Sequence, residues 1–232
     1  IGSLTYSSST LIVYYLLPVK TKIDTILLTL VLIWSLRLGL FLFRRILEDG
    51  NDSRFTKPKQ SFLHFLQYWI GQAMWVSFTC IAVYVALISE EENSLTAVSI
   101  MGLIIWVIGF SIEVISDRQK RQFRKDKHNK GRFITAGLWS RSRHPNYFGE
   151  ITLWVGVAVI AITSLKGIGY IALISPFFVF ALLSKGSGIP LLERSADKKW
   201  GSESGYQEYK NETPVLFPKL FKNIKNTDSN SD

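Results

Sequence analysis

Six apolar blocks, separated by charged segments, constrain the fold of this chain more than any other feature. An apolar run of about 18 residues or more is long enough to cross the hydrocarbon core of a bilayer as a helix. Helices are favoured there because no water is present to satisfy backbone N–H and C=O groups. We predict spanning segments at about 8–19, 26–43, 62–88, 97–115, 147–164 and 167–184. The pattern therefore predicts an all-α, multi-pass transmembrane helical bundle over residues 1–218.

The charged segments predict how this bundle is oriented. Residues 117–144 contain ten Lys/Arg and two Asp, a surplus of eight positive charges in a chain whose net charge is +9. The segment 44–60 is also basic, whereas 90–92 is acidic. The positive-inside rule places both basic loops and the C-terminal region on the cytoplasmic face. We expect an integral protein of the endoplasmic reticulum membrane if eukaryotic, or of the inner membrane if bacterial.

Composition narrows the expected partners. A positive charge confined to a loop between membrane spans suits lipid head groups, so we expect membrane lipids and no nucleic acid as partners. The single cysteine, Cys80, excludes an internal disulfide and a cysteine-based metal cluster, and we expect no metal site. The Lys/Asn/Ser/Asp-rich tail at 219–232 is predicted to be disordered.

The stretch Gly137–Glu150 combines cationic, aromatic and amide side chains next to an apolar span. Pro145 suits the first turn of a helix, so a helix is predicted from about Tyr147, with Arg143 and His144 at its N-terminal end. A helix N-terminus beside arginines is a favourable place for a phosphate. The alternative is a basic anchor that touches lipid head groups.

Two further groups of charges permit more than one interpretation. If the preceding helix continues, Asp117, Lys120, Arg121 and Arg124 share one face, which suits a sugar hydroxyl beside phosphates or, alternatively, an anionic lipid surface. Arg37 lies within an apolar span. It either needs a buried partner or extends its side chain to the interface.

Residues 133–150 resemble the signature of the integral-membrane sterol reductases, in which Gly-Trp-Trp leads into Arg-His-Pro-Asn-Tyr-Leu-Gly-Asp. The closest overall pattern is an uncharacterised membrane-protein family of the steroid 5-alpha-reductase C-terminal domain group. Shorter matching elements occur in the same order over most of 30–218, at 34–38, 52–55, 119–124, 188–193 and 206–209. Pro214 and Pro218 follow the last of these elements and resemble the C-terminal end of the sterol reductases.

This resemblance implies NADPH in a cytoplasm-facing cofactor pocket and a lipid-like small-molecule substrate that enters from the bilayer. The implied reaction is hydride delivery to an electron-poor C=C bond, with a protein acid that supplies the proton. The residues that the resemblance places around the cofactor are Arg37, Asp117, Lys120, Arg124, Arg143, His144, Asn146, Tyr147, Glu193 and Tyr209.

The chain departs from steroid 5-alpha-reductases at the proton donor. Those enzymes use a Tyr three residues before the arginine matched by Arg37, where this chain has Trp34, which cannot act as that acid. The position that matches the catalytic Glu of those enzymes falls near or before Ile1. The remaining candidates are Tyr147, which we rank first, Glu48, Asp49 or a residue upstream of Ile1.

Two other readings compete with the reductase. Isoprenylcysteine and phospholipid methyltransferases also carry an Arg-His-Pro-x-Tyr-x-Gly segment and bind S-adenosylmethionine, which has no phosphates. The cations of segment 118–132 favour a phosphate-rich cofactor, so we predict an NADPH-dependent membrane oxidoreductase over an S-adenosylmethionine-dependent membrane methyltransferase. A non-catalytic lipid-binding protein that keeps the pocket is the third reading.

Overall fold

The computed structural model describes residues 2–49, 61–89, 95–186 and 188–219. Within these ranges it contains helices and no strand, which confirms the predicted all-α class. The α-helices are α1 Gly2–Leu16, α2 Lys22–Asp49, α3 Phe62–Leu87, α4 Ala97–Lys125, α5 Pro145–Ala161, α6 Ser175–Ala181, α7 Ile189–Trp200 and α8 Ser204–Glu212. Short 3-10 helices occupy Lys127–Asn129, Gly137–Ser140, Ile162–Ser164 and Gly167–Ile174, and a π-helical turn occupies Leu182–Gly186.

Five segments of the described chain are long and apolar enough to cross a membrane. They are Lys22–Glu48, Phe62–Leu87, Ala97–Lys125, Pro145–Ser164 and Gly167–Trp200. Each overlaps one of the predicted spans, so the multi-pass bundle is confirmed. The remaining predicted span, 8–19, is helical as α1 but ends at Leu16. At about 1.5 Å per residue its 15 described residues cover roughly 22 Å, less than the ~30 Å hydrocarbon core.

Two helices extend into segments that were predicted to be loops. Helix α2 continues through the basic residues after the apolar run to Asp49, and α4 continues to Lys125, ten residues past the predicted end at 115. Arg, Lys and Gln are good helix formers, so a helix that leaves the apolar layer has no reason to stop there. The segments 51–60 and 90–92 lie outside the described residues, as does the predicted tail from 220 onward.

The predicted span 167–184 is not one continuous α-helix. It starts as a 3-10 helix, Gly167–Ile174, before α6 begins at Ser175. Pro176 cannot donate a backbone hydrogen bond, and its ring clashes with the carbonyl four residues earlier. The backbone N–H of Ser175 instead donates to Ala172, the shorter i−3 pattern. The proline therefore accounts for the change of helix type.

The chain divides into two compact units, Ile1–Val107 with Ile151–Leu182, and Ile108–Glu150 with Leu183–Asp232. In the first unit, helix α1 packs on α2 and α3. Trp34 is 1% exposed, and its ring meets Tyr6 and Trp154 edge-on at centroid distances of 5.0 and 5.1 Å. The residue that replaces the expected tyrosine is therefore a core residue of this unit.

Close backbone packing and hydroxyl hydrogen bonds join the helices of the first unit. Ser7 Oγ lies 2.6 Å from Ser35 Oγ, which links α1 to α2. A Cβ atom added to Gly156 of α5 would lie 2.6 Å from the backbone N of Trp106 and 2.7 Å from the carbonyl oxygen of Gly102, both in α4. Small residues and hydroxyl bonds of this kind let helices associate within a membrane, where no hydrophobic effect drives them together.

Candidate functional site

The second unit contains the stretch that the sequence singled out. Helix α5 begins at Pro145, two residues before the predicted start, and the proline occupies the first turn as expected. The Oγ of Ser142 accepts a hydrogen bond from the backbone N–H of His144 at 3.2 Å. Arg143 and His144 therefore stand immediately before the helix, as predicted.

A carboxylate from helix α7 joins these two side chains. Arg143 Nη1 donates to Glu193 Oε2 at 2.5 Å, and His144 Nε2 lies 2.7 Å from Glu193 Oε1. The side chains of Arg143, His144 and Glu193 are 11%, 6% and 20% exposed, so the contact is largely shielded from solvent. We call these three residues the Arg143–His144–Glu193 cluster. The structure thus brings together three of the predicted cofactor residues from two distant parts of the sequence.

The surroundings of His144 favour its neutral form. Burial lowers its pKa, and the cations Lys120 and Arg143 act in the same direction, which together outweigh the raising effect of Glu193. With its Nε2–H donated to Glu193, the other ring nitrogen, Nδ1, is an acceptor. This Nδ1 and the Nε of Arg143 are buried and have no hydrogen-bond partner among the described residues. Buried polar atoms are normally bonded, so these two are the atoms of the cluster that are candidates for hydrogen bonds to a ligand.

The 3-10 turn that precedes the cluster is docked on helix α4. Gln119 Oε1 accepts from the backbone N–H of Leu138 at 3.0 Å, and Trp139 Nε1 donates to the Ser116 carbonyl at 3.0 Å. Lys120 Nζ lies 4.4 Å from the centroid of the Trp139 ring, a cation–π contact. Trp139 is 3% exposed. This tryptophan therefore fixes the turn and Lys120 together.

Helix α4 presents the predicted charged face. Because the helix runs through Lys125, Asp117, Lys120, Arg121 and Arg124 follow one another at i, i+3, i+4 and i+7. Asp117 is buried, Lys120 and Arg121 are half-buried, and Arg124 is exposed. The burial decreases toward the helix end, where an exposed arginine is available to a large anionic ligand. Contact of these residues with a cofactor stays a prediction.

The remaining predicted residues of this unit have different surroundings. The Tyr147 ring is stacked on His144, with centroids 5.8 Å apart and an interplanar angle of 12°. Asn146 is half-buried. The Tyr209 hydroxyl donates to the Trp139 carbonyl at 2.7 Å, and burial raises the pKa of this phenol. Tyr209 therefore connects α8 to the 3-10 turn through this hydrogen bond. Its contact with a cofactor stays a prediction.

The hydrogen bond from Tyr209 to the Trp139 carbonyl predicts that the tyrosine hydroxyl stabilises the fold. Replacing Tyr209 by phenylalanine removes only the hydroxyl and leaves the Trp139 carbonyl without that donor. We expect a loss of about 1 kcal/mol in unfolding free energy, the usual worth of such a bond, measured as a lower melting temperature in detergent. Tyr15→Phe, at a residue that is 73% exposed, is the matched control. Equal melting temperatures for both variants would contradict the assignment.

A segment that the sequence reasoning did not assign to the site also contacts it. Residues 213–219, which we call the C-terminal strap, run beside residues 141–143. Ser142, at 0% exposure, is enclosed between them. Hydrogen bonds join the segments, among them Arg143 N to Pro214 O at 2.9 Å, Ser142 Oγ to Leu216 O at 2.8 Å, and Lys219 N to Arg141 O at 3.0 Å. The only sequence signal was the match of Pro214 and Pro218 to the end of the sterol reductase pattern.

Three predicted residues lie in the first unit. Arg37 is half-buried in α2, with its guanidinium 5.3 Å from the centroid of the Phe41 ring. Glu48 is exposed near the end of the same helix, and the side chain of Asp49 lies outside the described part of the chain. Their roles at the cofactor or as proton donor stay predictions. The described residues also contain no group of three or more His, Cys, Asp or Glu side chains that could hold a metal ion.

The chain matches one family model and is similar to two kinds of enzyme. A family model described as "Protein of unknown function (DUF1295)" matches residues 3–213. The chain is 28% identical over 117 residues to the 3-oxo-5-alpha-steroid 4-dehydrogenase 1 of Rattus norvegicus, covering 50% of this chain and 40% of the relative. It is 29% identical over 122 residues to the protein of that name from Macaca fascicularis, covering 53% and 41%.

The second kind of relative is a methyltransferase. The chain is 31% identical over 99 residues to the "Probable O-methyltransferase ustE" of Ustilaginoidea virens, covering 42% of this chain and 32% of the relative. It thus spans only 32–41% of the length of these curated relatives. No solved structure matches the chain. The matches confirm the resemblance to the steroid reductase-like and methyltransferase group.

Proposed function

The chain belongs to the DUF1295 family, and from this premise we propose that it is an NADPH-dependent membrane oxidoreductase. The substrate would be a hydrophobic lipid or steroid-like molecule with a polarised C=C bond that enters laterally from the bilayer. The observation that carries the proposal is the buried Arg143–His144–Glu193 cluster, with its two unpartnered polar atoms, in the same unit as the basic face of α4. The likeness to two 3-oxo-5-alpha-steroid 4-dehydrogenases supports the reaction class.

The chemistry of the donor set fits this cofactor. Arg124 and the neighbouring cations of α4 would hold phosphates, because guanidinium groups bind phosphate through paired charge-assisted hydrogen bonds. Asn146, Tyr147 and the cluster would hold the uncharged parts. Arg37 stays a candidate for cofactor binding through the resemblance alone. NADPH supplies a hydride when bound. The cofactor-binding face would be cytoplasmic.

The protein must also supply a proton, and the residue for this is part of the proposal. We assign it first to Tyr147, whose ring is stacked on His144 and whose phenol can donate a proton. Glu48 is the second candidate. An acid near the reacting carbon relieves the charge that develops as a hydride arrives.

A second function is favoured by one specific observation. The charge of Arg143 is already balanced by Glu193, so the cluster adds little attraction for a phosphate. A charge-balanced cluster is compatible with a cofactor that has no phosphate. The second candidate is therefore an S-adenosylmethionine-dependent membrane methyltransferase acting on a lipid or prenylated substrate, and the match to the Ustilaginoidea virens protein supports it. The exposed cations of α4 argue for the reductase, because S-adenosylmethionine carries no phosphate.

The first test is a comparison of ligands by thermal stability in detergent. A ligand that binds the folded state raises its stability by about 2.7 kcal/mol at a hundredfold excess over Kd. We expect NADPH to raise the melting temperature more than NADH, and S-adenosylmethionine to have no effect. Arg124→Ala should reduce the preference for NADPH, whereas Lys198→Ala, which removes an exposed charge from α7, should not. Equal effects of NADPH and NADH would count against the assignment.

The second test is turnover in lipid nanodiscs. NADPH oxidation would be followed with enone steroids, sterol dienes, and polyprenyl or fatty enals as substrates. We expect oxidation that depends on one of these classes. Absence of such oxidation, together with methyl transfer from S-adenosylmethionine to a lipid, would replace the reductase by the methyltransferase.

A further inference from the structure

We propose that the Arg143–His144–Glu193 cluster binds an uncharged hydrogen-bonding group of the ligand, and that the phosphates of the ligand bind elsewhere. The ligand group would donate a hydrogen bond to His144 Nδ1 and accept one from Arg143 Nε. The inference rests on the proposed function insofar as it takes the ligand to be a nucleotide-type cofactor. The assignment of an uncharged group to the cluster does not depend on whether that cofactor is NADPH or S-adenosylmethionine, whereas the separate phosphate site applies to NADPH alone.

The first step concerns which atoms are already engaged. Both oxygens of Glu193 are occupied, one by Arg143 Nη1 and the other by His144 Nε2. The shared carboxylate fixes the orientation of the guanidinium and of the imidazole at once. It also fixes the hydrogen on Nε2, which leaves a lone pair on Nδ1.

The second step concerns charge. An anionic carboxylate and a cationic guanidinium balance, and burial together with nearby cations keeps His144 neutral. A phosphate placed here would meet a balanced ion pair and the lone pair of Nδ1, which repels an anionic oxygen. The cluster therefore differs from the exposed end of the α4 face, where Arg124 lies open to solvent.

The third step concerns the two unpartnered atoms. A buried acceptor and a buried donor without partners each cost free energy, and a ligand that pairs with both recovers it. A carboxamide carries a donor and an acceptor on one carbon, and a ribose diol carries them on adjacent carbons. Each of these uncharged groups supplies the one donor and the one acceptor that the two atoms lack, whereas a phosphate offers only acceptors at neutral pH.

The test uses two substitutions at His144 that keep different halves of the imidazole. Asparagine places its side-chain oxygen near the position of Nδ1 and loses the contact with Glu193. Glutamine reaches the position of Nε2, keeps the contact with Glu193 and loses the acceptor at Nδ1. Binding would be measured in nanodiscs with NADPH, with S-adenosylmethionine, and with adenosine 2′,5′-bisphosphate as a probe that carries the phosphate-bearing half alone.

We expect His144→Gln to weaken NADPH binding about tenfold and His144→Asn to weaken it clearly less, as follows from loss of one buried hydrogen bond. Binding of adenosine 2′,5′-bisphosphate should be the same in both variants and in the wild type. The proposal is overturned if His144→Asn binds as weakly as His144→Gln, or if the bisphosphate loses affinity in parallel. Either result would mean that the contact with Glu193, or a phosphate, is what the cluster provides.

A second variant keeps the proposal testable if the His144 variants do not fold. Arg143→Lys retains the positive charge but has no atom equivalent to Nε–H. We expect weaker NADPH binding with unchanged bisphosphate binding; a variant that binds NADPH like the wild type would overturn the proposal. If the wild type binds S-adenosylmethionine and not NADPH, the reductase fails, and the same variants measured with S-adenosylmethionine still decide this inference.

Discussion

Gly149→Ala is expected to destabilise the protein by about 3 kcal/mol, the upper part of the usual range for overpacking. A Cβ atom at this position would lie 2.6 Å from the backbone N of Glu113 and 2.7 Å from the carbonyl oxygen of Gly109. Both atoms belong to the backbone of α4, so no side chain can rotate to make room. The two helices would have to separate, and we expect a large fall in melting temperature and in the yield of monodisperse protein in detergent.

Gly71→Ala is the matched control for this substitution. Gly71 lies within α3, and a Cβ atom there would have no other atom within 4 Å. Alanine is the better helix former by about 0.5–1 kcal/mol, so this variant should be as stable as the wild type or slightly more stable. If both alanine variants melt at the same temperature, the backbones of α4 and α5 are not in contact at Gly149. A lower melting temperature for Gly149→Ala alone would explain the glycine in the Tyr-Phe-Gly-Glu stretch as a packing requirement.

Glu193→Gln is expected to weaken both the fold and the site. The substitution keeps the shape of the side chain but removes the charge that balances Arg143, whose side chain is only 11% exposed. Removing one partner of a buried ion pair costs about 3–5 kcal/mol, and the partial exposure of Glu193 brings our expectation to about 2 kcal/mol. We also expect weaker binding of the stabilising ligand, because glutamine has one acceptor oxygen and can orient only one of the two donors, Arg143 Nη1 or His144 Nε2.

The melting temperature with and without ligand separates the two effects of this change. Glu203→Gln serves as the control, since Glu203 is exposed and its side chain makes no capping hydrogen bond. Surface changes of this kind usually stay within about 0.5 kcal/mol of the wild type. If Glu193→Gln had the same stability and ligand response as Glu203→Gln, the assignment of Glu193 to the cluster would be contradicted.

The membrane-spanning architecture was predictable because apolar runs report directly on burial in lipid. Their ends were not, since hydropathy marks where a segment leaves the apolar layer and not where its helix stops. Helix α4 illustrates this difference, because its last turns, through Lys125, carry the charged face in a region that composition alone assigned to a loop. The interruption before α6 was readable in principle from Pro176, but the length of an apolar run carries no information about a proline within it.

Part of the site was readable from the residues and part was not. Arg143 and His144 are neighbours in the chain, and Pro145 is typical of the first turn of the helix that follows them. Glu193, 50 residues away from Arg143, entered only through the resemblance, because nothing in its own surroundings marks it as their partner. The C-terminal strap bonds mainly through backbone groups, which every residue has, so only the match of Pro214 and Pro218 to the resembling family pointed to this segment.

The 3-10 segment Gly167–Ile174 changes how the last span matches the thickness of a bilayer. A 3-10 helix rises about 2.0 Å per residue, against about 1.5 Å in an α-helix. The eight residues of this segment therefore cover roughly 16 Å, about 4 Å more than they would as α-helix. Mismatch between hydrophobic length and bilayer costs a fraction of a kcal/mol per ångström, so this added reach favours insertion in a thicker membrane without any additional residue.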